Sequence, residues 1–188
     1  MSQPTRERLL DAAQALLDDG GIEAVTLREV GSRAGVSHNA PYKHFASKEA
    51  LLAAVATREL REKAASFNGD RALPAAERLR NSLHWAIARA VAHPNRFRLI
   101  YGRWPTNVAT ELSHAAHEAE LALTGLVAET QEAGALPAGA EPEKLTAVLR
   151  AAVQGAAELA ISGHLSLDGL VEPEAVLDDL LTLLRGPE

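Results

Sequence analysis

The densest chemistry in this chain lies between Thr26 and Glu49, where His38, Asn39, Tyr42, Lys43 and His44 fall within seven residues. Each carries a hydrogen-bond donor or acceptor, and Arg28 and Arg33 precede them. The surrounding residues predict two short helices joined by a glycine-containing turn, with a third helix directly after. Thr26 can cap the first helix, and Glu29 three positions on completes a capping box. Leu27, Val30 and Ala34 share one face at helical spacing, while Arg28 and Arg33 point elsewhere. Gly35 can take the left-handed conformation that ends this helix, and Ser37 can cap the next. Pro41 complicates that second start. With Ser37 as cap it would remove a hydrogen bond from the helix; with Asn39 as cap it would stand at a tolerated early position. Phe45 fits a core position better than a contact. A short polar helix held at a fixed angle by two others is what a helix-turn-helix presents to the DNA major groove.

Other residues could support different chemistry. Glu111 and His114 have the i, i+3 spacing of a di-iron bundle pair, but that site needs a second copy, and the sequence has none. His114, His117 and Glu118 put three possible ligands on one helix, in an order unlike that of the helical zinc proteases. A solvated or pocket-rim face is the better reading, with no metal and no cofactor. Nucleophile elbow, P-loop and dinucleotide fingerprint are all missing from the sequence, which gives no support to an enzyme.

Elements that could position these groups follow from composition and punctuation. The chain has 188 residues, 47% of them hydrophobic, but only two Trp, two Tyr and three Phe. A core built mainly from Ala, Leu and Val favours close-packed helices. Cysteine is absent, which excludes disulfides and thiolate chemistry and fits a reducing cytoplasm. No apolar run approaches the roughly 18 residues of a membrane span, and the first residues are polar, so neither membrane anchor nor signal peptide is expected. The net charge of −6 is unusual for a nucleic-acid binder, and residues 1–50 hold six Lys/Arg against seven Asp/Glu. Any basic footprint is therefore local, from Arg28, Lys43 and Lys48 with His38 and His44.

The expected fold is all-α with about nine helices. A first helix over 5–19 carries the stripe Leu9, Leu10, Ala13, Leu16 and Leu17 and is stopped by Gly20-Gly21. A connector over 47–67 follows the two short helices, and Asn68-Gly69-Asp70 breaks it. Further helices start near Pro74 and Pro94, a long one runs from about 106 to 133, and 133–143 is a loop. Two last helices are expected over 143–162 and 173–185. On these, Leu149, Val153, Leu177, Leu180, Leu181 and Leu184 belong to apolar surfaces wider than one face. Such helices need partners on two sides, from a deep core or from the facing helices of a homodimer; the dimer is preferred.

The pattern Thr26-x-x-Glu29-Val30-x-x-x-Ala34-Gly35-Val36-Ser37-x-x-x-x-Tyr42-x-His44-Phe45-x-x-Lys48-Glu49-x-Leu51 closely resembles the DNA-binding domain of the TetR family of bacterial transcriptional regulators. Pro41 departs from it, standing where a bulky aliphatic is common. The resemblance covers the first 55 or so residues strongly and the rest in helical layout. It implies a DNA-binding domain over 1–47 and an effector-binding and dimerisation domain over 48–188. It implies that Thr26, Tyr42, His44 and Lys48 grip phosphates, and that Arg28, His38, Asn39, Ala40 and Lys43 reach base edges. It further implies a cytoplasmic homodimer on a palindromic double-stranded operator, most simply a repressor, released by a small-molecule effector. Pocket candidates are Trp85, Phe97, Tyr101, Trp104, His117 and Gln154, although Trp85 and Phe97 suit ordinary core packing equally well.

Overall fold

The computed structural model describes residues 4–104, 110–165 and 171–185. The described residues form nine α-helices: α1 (Thr5–Ala24), α2 (Leu27–Arg33), α3 (Ala40–His44), α4 (Lys48–Asn68), α5 (Ala75–Ala92), α6 (Pro94–Tyr101), α7 (Thr110–Glu132), α8 (Pro142–Ile161) and α9 (Pro173–Arg185). The fold is all-α, as the helical periodicity predicts.

Local chemistry sets most of the ends. Thr26 Oγ1 accepts the Glu29 N–H at 3.1 Å and starts α2, and Ser47 Oγ accepts the Ala50 N–H at 3.1 Å and starts α4. At the end of α2, Gly35 has φ +62°, and the Gly35 and Val36 N–H groups bond back to the Ser32 and Gly31 carbonyls at 3.1 Å each. This paired arrangement satisfies carbonyls that the helix itself cannot. The expected stop at Gly20-Gly21 is a kink: both glycines leave helical geometry, Gly21 at φ +69°, and one further helical stretch runs to Ala24.

The start of α3 resolves the choice between two caps. Asn39 holds the capping position, Pro41 lies in the first turn, and Ser37 belongs to the preceding turn, its carbonyl accepting the Ala40 N–H at 2.9 Å. A helix starting at Ser37 is thereby excluded. Proline removes no intrahelical bond so early, because first-turn N–H groups have no partner within the helix.

The chain divides into two compact units, Met1–Leu60 with His93–Ala116, and Arg61–Ala92 with His117–Glu188. Helices α4 and α7 each run through both units. In the first unit the core contains Leu9, Leu16 and Leu17 of α1, Val30 of α2, Phe45, Leu51 and Val55 of α4, and Phe97 of α6. In the second, Leu79, Leu83 and Ile87 of α5 pack with Leu123, Leu126 and Val127 of α7, Leu145, Leu149, Val153 and Ala156 of α8, and Leu177 and Leu181 of α9.

Candidate nucleic-acid interface and ligand cavity

Within the first unit, α3 packs against α1 and α2, so its short axis is fixed from two sides. The nearest fit is between Pro41 and Gly31. Pro41 is buried, and a Cβ added at Gly31 would lie 2.8 Å from Pro41 Cγ. Phe45, directly after α3, is 4% exposed and belongs to the core, as its position predicts. The rest of the segment faces solvent: His38, Asn39, Tyr42, Lys43 and His44 are all exposed, and Ala40 is half-buried. Thr26 and Arg28, at the start of α2, are exposed too, while Lys48 is half-buried at the start of α4. The fold thus leaves the predicted contact residues on the surface of a helix-turn-helix. Two nearby cations are already paired: Arg33 Nη1 lies 2.6 Å from Asp19 Oδ2, and Lys48 Nζ lies 3.9 Å from Glu23 Oε2.

Sequence reasoning missed the groups that hold this module from behind. Arg8 in the first turn of α1 donates through Nη2 to the Ala34 carbonyl and, at 3.2 Å, to the Gly35 carbonyl. The Arg6 guanidinium carbon sits 5.5 Å from the Phe45 ring centre. On the other side of α1, the buried Glu59 carboxylate accepts from Gln14 Nε2 at 2.7 Å and from Arg96 Nη1 at 2.9 Å. Arg96 also forks onto Asp18, Nε at 2.8 Å and Nη2 at 2.6 Å, and Asn95 donates to the Leu17 carbonyl at 3.0 Å. A carboxylate so buried is tolerable only when paired and hydrogen-bonded, so α6 is tied to α1 and α4 by necessity. Burial works against the Arg96 charge, yet Asp18 and Glu59 more than restore it and raise its pKa.

The predicted pocket residues fall into both units. Phe97 is core; its ring lies 4.9 Å from that of Tyr101, and Trp104 Nε1 donates to the Leu99 carbonyl at 3.1 Å. All three belong to the first unit. In the second unit, Trp85 lines a cavity of about 210 Å³ with Ser66, Gly69, Asp70, Leu73, Arg78, Asn81 and Ser82. Of the predicted candidates only Trp85 lines it. Arg78, unremarked in the sequence, is 7% exposed; it pairs with Glu129 on α7, and its Nε has no hydrogen-bond partner. Arg89 covers the Trp85 ring at 5.5 Å. His114 and His117 are exposed on α7 and Gln154 is half-buried on α8. Among the described residues no group of three His, Asp or Glu side chains could hold a metal ion. No helix of the described chain is long and apolar enough to cross a membrane.

Of the predicted interface residues, Leu149, Val153, Leu177 and Leu181 lie inside the chain's own core, while Leu180 and Leu184 pack partly against it and stay partly exposed. Helices apolar on several sides show no phase in sequence, so the inward side was not readable. The exposed residues of α8 include Val148, Ala151, Gly155 and Leu159, at helical spacing, beside Lys144, Ala147, Arg150 and Glu158. Val148 is 47% exposed, Leu159 45%, and Leu183 on α9 78%.

Comparison with known proteins places this geometry. A family profile described as "Bacterial regulatory proteins, tetR family" matches residues 9–55, and one described as "Tetracyclin repressor-like, C-terminal domain" matches residues 79–184. The HTH-type transcriptional repressor KstR of Rhodococcus jostii is 46% identical over 54 residues, 29% of this chain and 26% of that protein. The HTH-type transcriptional regulator UidR of Escherichia coli (strain K12) is 32% identical over 66 residues, 35% of this chain and 34% of that protein. The chain thus spans about a third or less of the length of these curated relatives. A solved structure of a protein with unknown function from Rhodococcus sp. RHA1 is 27% identical, with TM-score 0.82 over 98% of this chain and 95% of that one. With an N-terminal helix-turn-helix matched by the first profile and residues 79–184 matched by the second, the chain belongs to the TetR family of bacterial transcriptional regulators.

Proposed function

We propose that this regulator binds a palindromic operator as a homodimer, represses from it, and is released by a small-molecule effector. The observation that carries the reading is the five-residue helix α3, whose flanks and outer face expose His38, Asn39, Tyr42, Lys43 and His44 together. A polar helix of that length contributes little packing of its own. Its fixed presentation suits major-groove reading, with Asn39 and Lys43 toward base edges and Tyr42, His44, Thr26 and Lys48 toward phosphates. A dimer would set two such helices about 34 Å apart, one turn of duplex, or a multiple of it. Selection from random duplex DNA tests this directly. The expected motif is an inverted repeat; a motif without two-fold symmetry overturns the palindromic reading.

The dimer would form through the outward side of α8 and α9. Val148, Ala151, Gly155 and Leu159 make a stripe of small and apolar residues that lets two helices approach closely, and Leu183 is an exposed leucine of α9. Leu183→Asp should give folded monomers on sizing, because an unpaired carboxylate in an apolar interface costs several kcal/mol. Leu181→Asp should instead unfold the chain, since Leu181 is 6% exposed within one protomer. Intact dimers for both Leu183→Asp and Val148→Asp would move the interface elsewhere.

The effector would occupy the cavity beside Trp85. It would act by linkage, binding better to the dimer spacing that cannot engage the operator. In a Trp104→Phe background, an effector should change Trp85 fluorescence and release operator DNA over one concentration range. A ligand that does the first without the second would show binding without a switch.

A further inference from the structure

We infer that Arg8 is a positioning residue for DNA reading: it sets the angle of α3 by holding the turn before it, without itself touching DNA. The turn between α2 and α3 uses its own N–H groups internally, Gly35 to Ser32, Val36 to Gly31 and Ala40 to Ser37. The Ala34 and Gly35 carbonyls are left over at the helix end. Arg8 supplies both with one nitrogen, across 26 and 27 positions of sequence. Hydrogen bonds from a guanidinium are shorter and stronger than neutral ones, and the planar group fixes the direction of the two N–H bonds on Nη2. Two residues earlier, Arg6 lies over Phe45, immediately after α3. The first turn of α1 therefore holds the segment carrying α3 at both of its ends.

Helix formation does not explain these cations. Arg6 and Arg8 stand in the first turn of α1, where positive charge opposes the helix dipole. Arg6 has a loose local pair with Glu7 at 3.7 Å, whereas the contacts of Arg8 are long-range. Gly35 contributes from the other side: at φ +62° its carbonyl accepts from Arg8 Nη2, and a Cβ there would lie 3.5 Å from that nitrogen. A residue acting this way has a signature distinct from that of a phosphate contact. Removing a phosphate contact lowers the number of counterions released on binding, whereas removing a brace behind the helix leaves that number unchanged.

The inference rests on α3 being the DNA-reading helix, and the experiment separates the two. Wild-type protein, Arg8→Met and Arg8→Lys are titrated by fluorescence anisotropy with the duplex selected by the wild type and with a random-sequence duplex, at several salt concentrations. Failure of the wild type to prefer its selected duplex would refute DNA reading by α3. Given that preference, Arg8→Met should lose about tenfold or more on the selected duplex, from two charge-assisted hydrogen bonds. It should keep the wild-type salt slope and the wild-type affinity for random duplex. A slope lower by about one per protomer would make Arg8 a phosphate contact and overturn the inference, as would unchanged affinity for the selected duplex. If Arg8→Met melts below the assay temperature, Arg8→Lys carries the test. It keeps the charge but not the reach that lets Nη2 serve both carbonyls, so a loss of preference at unchanged slope supports the brace, and full wild-type preference overturns it.

Discussion

A methyl group at residue 31 has nowhere to go. Its Cβ would meet Pro41 Cγ at 2.8 Å, and a proline ring cannot swing aside as a longer side chain would. Alanine normally gains about 1 kcal/mol over glycine inside a helix, but overpacking a fixed neighbour costs about 1–3 kcal/mol. Gly31→Ala should therefore be neutral to destabilising by up to about 2 kcal/mol, instead of stabilising as an exposed helix position would be. Adding Pro41→Ala should recover the helix-propensity gain, so a double-mutant cycle in urea should show strong favourable coupling. Additivity would mean that the two residues do not constrain one another. This pair also explains what the sequence left open. Pro41 allowed two capping residues, and its close packing is with a glycine ten positions earlier on another helix. Thr26, Ser47 and Gly35 were legible because a cap acts on its own neighbours within a few residues.

Helix α9 shows the same limit at the next scale. Its apolar residues nearly encircle it, so periodicity could not tell its inward face from its outward one. Polar contacts fix the face: Asp178 accepts from Arg80 Nε at 2.7 Å and Nη2 at 2.6 Å, and lies 2.9 Å from His84 Nε2, all on α5. The partners are separated by 94 and 98 positions, beyond any local pattern. The Arg80 hydrogen bonds, with His84 adding to them, hold the Asp178 pKa down at about 2, below its ordinary 3.8. A carboxylate depressed by folding stabilises the protein above its unfolded pKa and loses that contribution as pH falls through its folded one. The stability gap between wild type and Asp178→Asn should thus be full at pH 5 and shrink steadily from about pH 4 toward pH 2. Because Asp178 is partly exposed, solvent screening keeps the gap modest. Denaturant titrations across that range check it; a gap independent of pH would mean that Asp178 acts through packing alone.

For the whole molecule, the charge balance is the unusual feature under the proposed DNA-binding role. The chain carries −6, so association with a polyanion depends on a few cations kept at the surface, and acidic neighbours decide which of them are available. Lys48 is the clearest case. Its Nζ lies 3.9 Å from Glu23, a carboxylate 96% exposed that makes a weak pair at best. Under the proposed DNA-binding role, Lys48 would exchange this partner for a phosphate, and Glu23 would remain as a nearby charge of the same sign as that phosphate. Glu23→Gln removes that repulsion without altering the helix-turn-helix, so it should tighten binding to selected and random duplexes by similar factors of a few-fold at low salt. The gain should fade as salt is raised, because the removed charge acts through solvent over about 10 Å at 0.1 M ionic strength. Lys48→Ala should do the opposite, weakening both duplexes and lowering the salt slope by about one per protomer. In the double variant the benefit of Glu23→Gln should shrink, since part of it comes from releasing Lys48. Anisotropy titrations at several salt concentrations resolve all three proteins. An unchanged affinity for Glu23→Gln at low salt would place this edge of the module away from the DNA backbone, and a preference gained for one sequence over another would mean that the pair takes part in base reading.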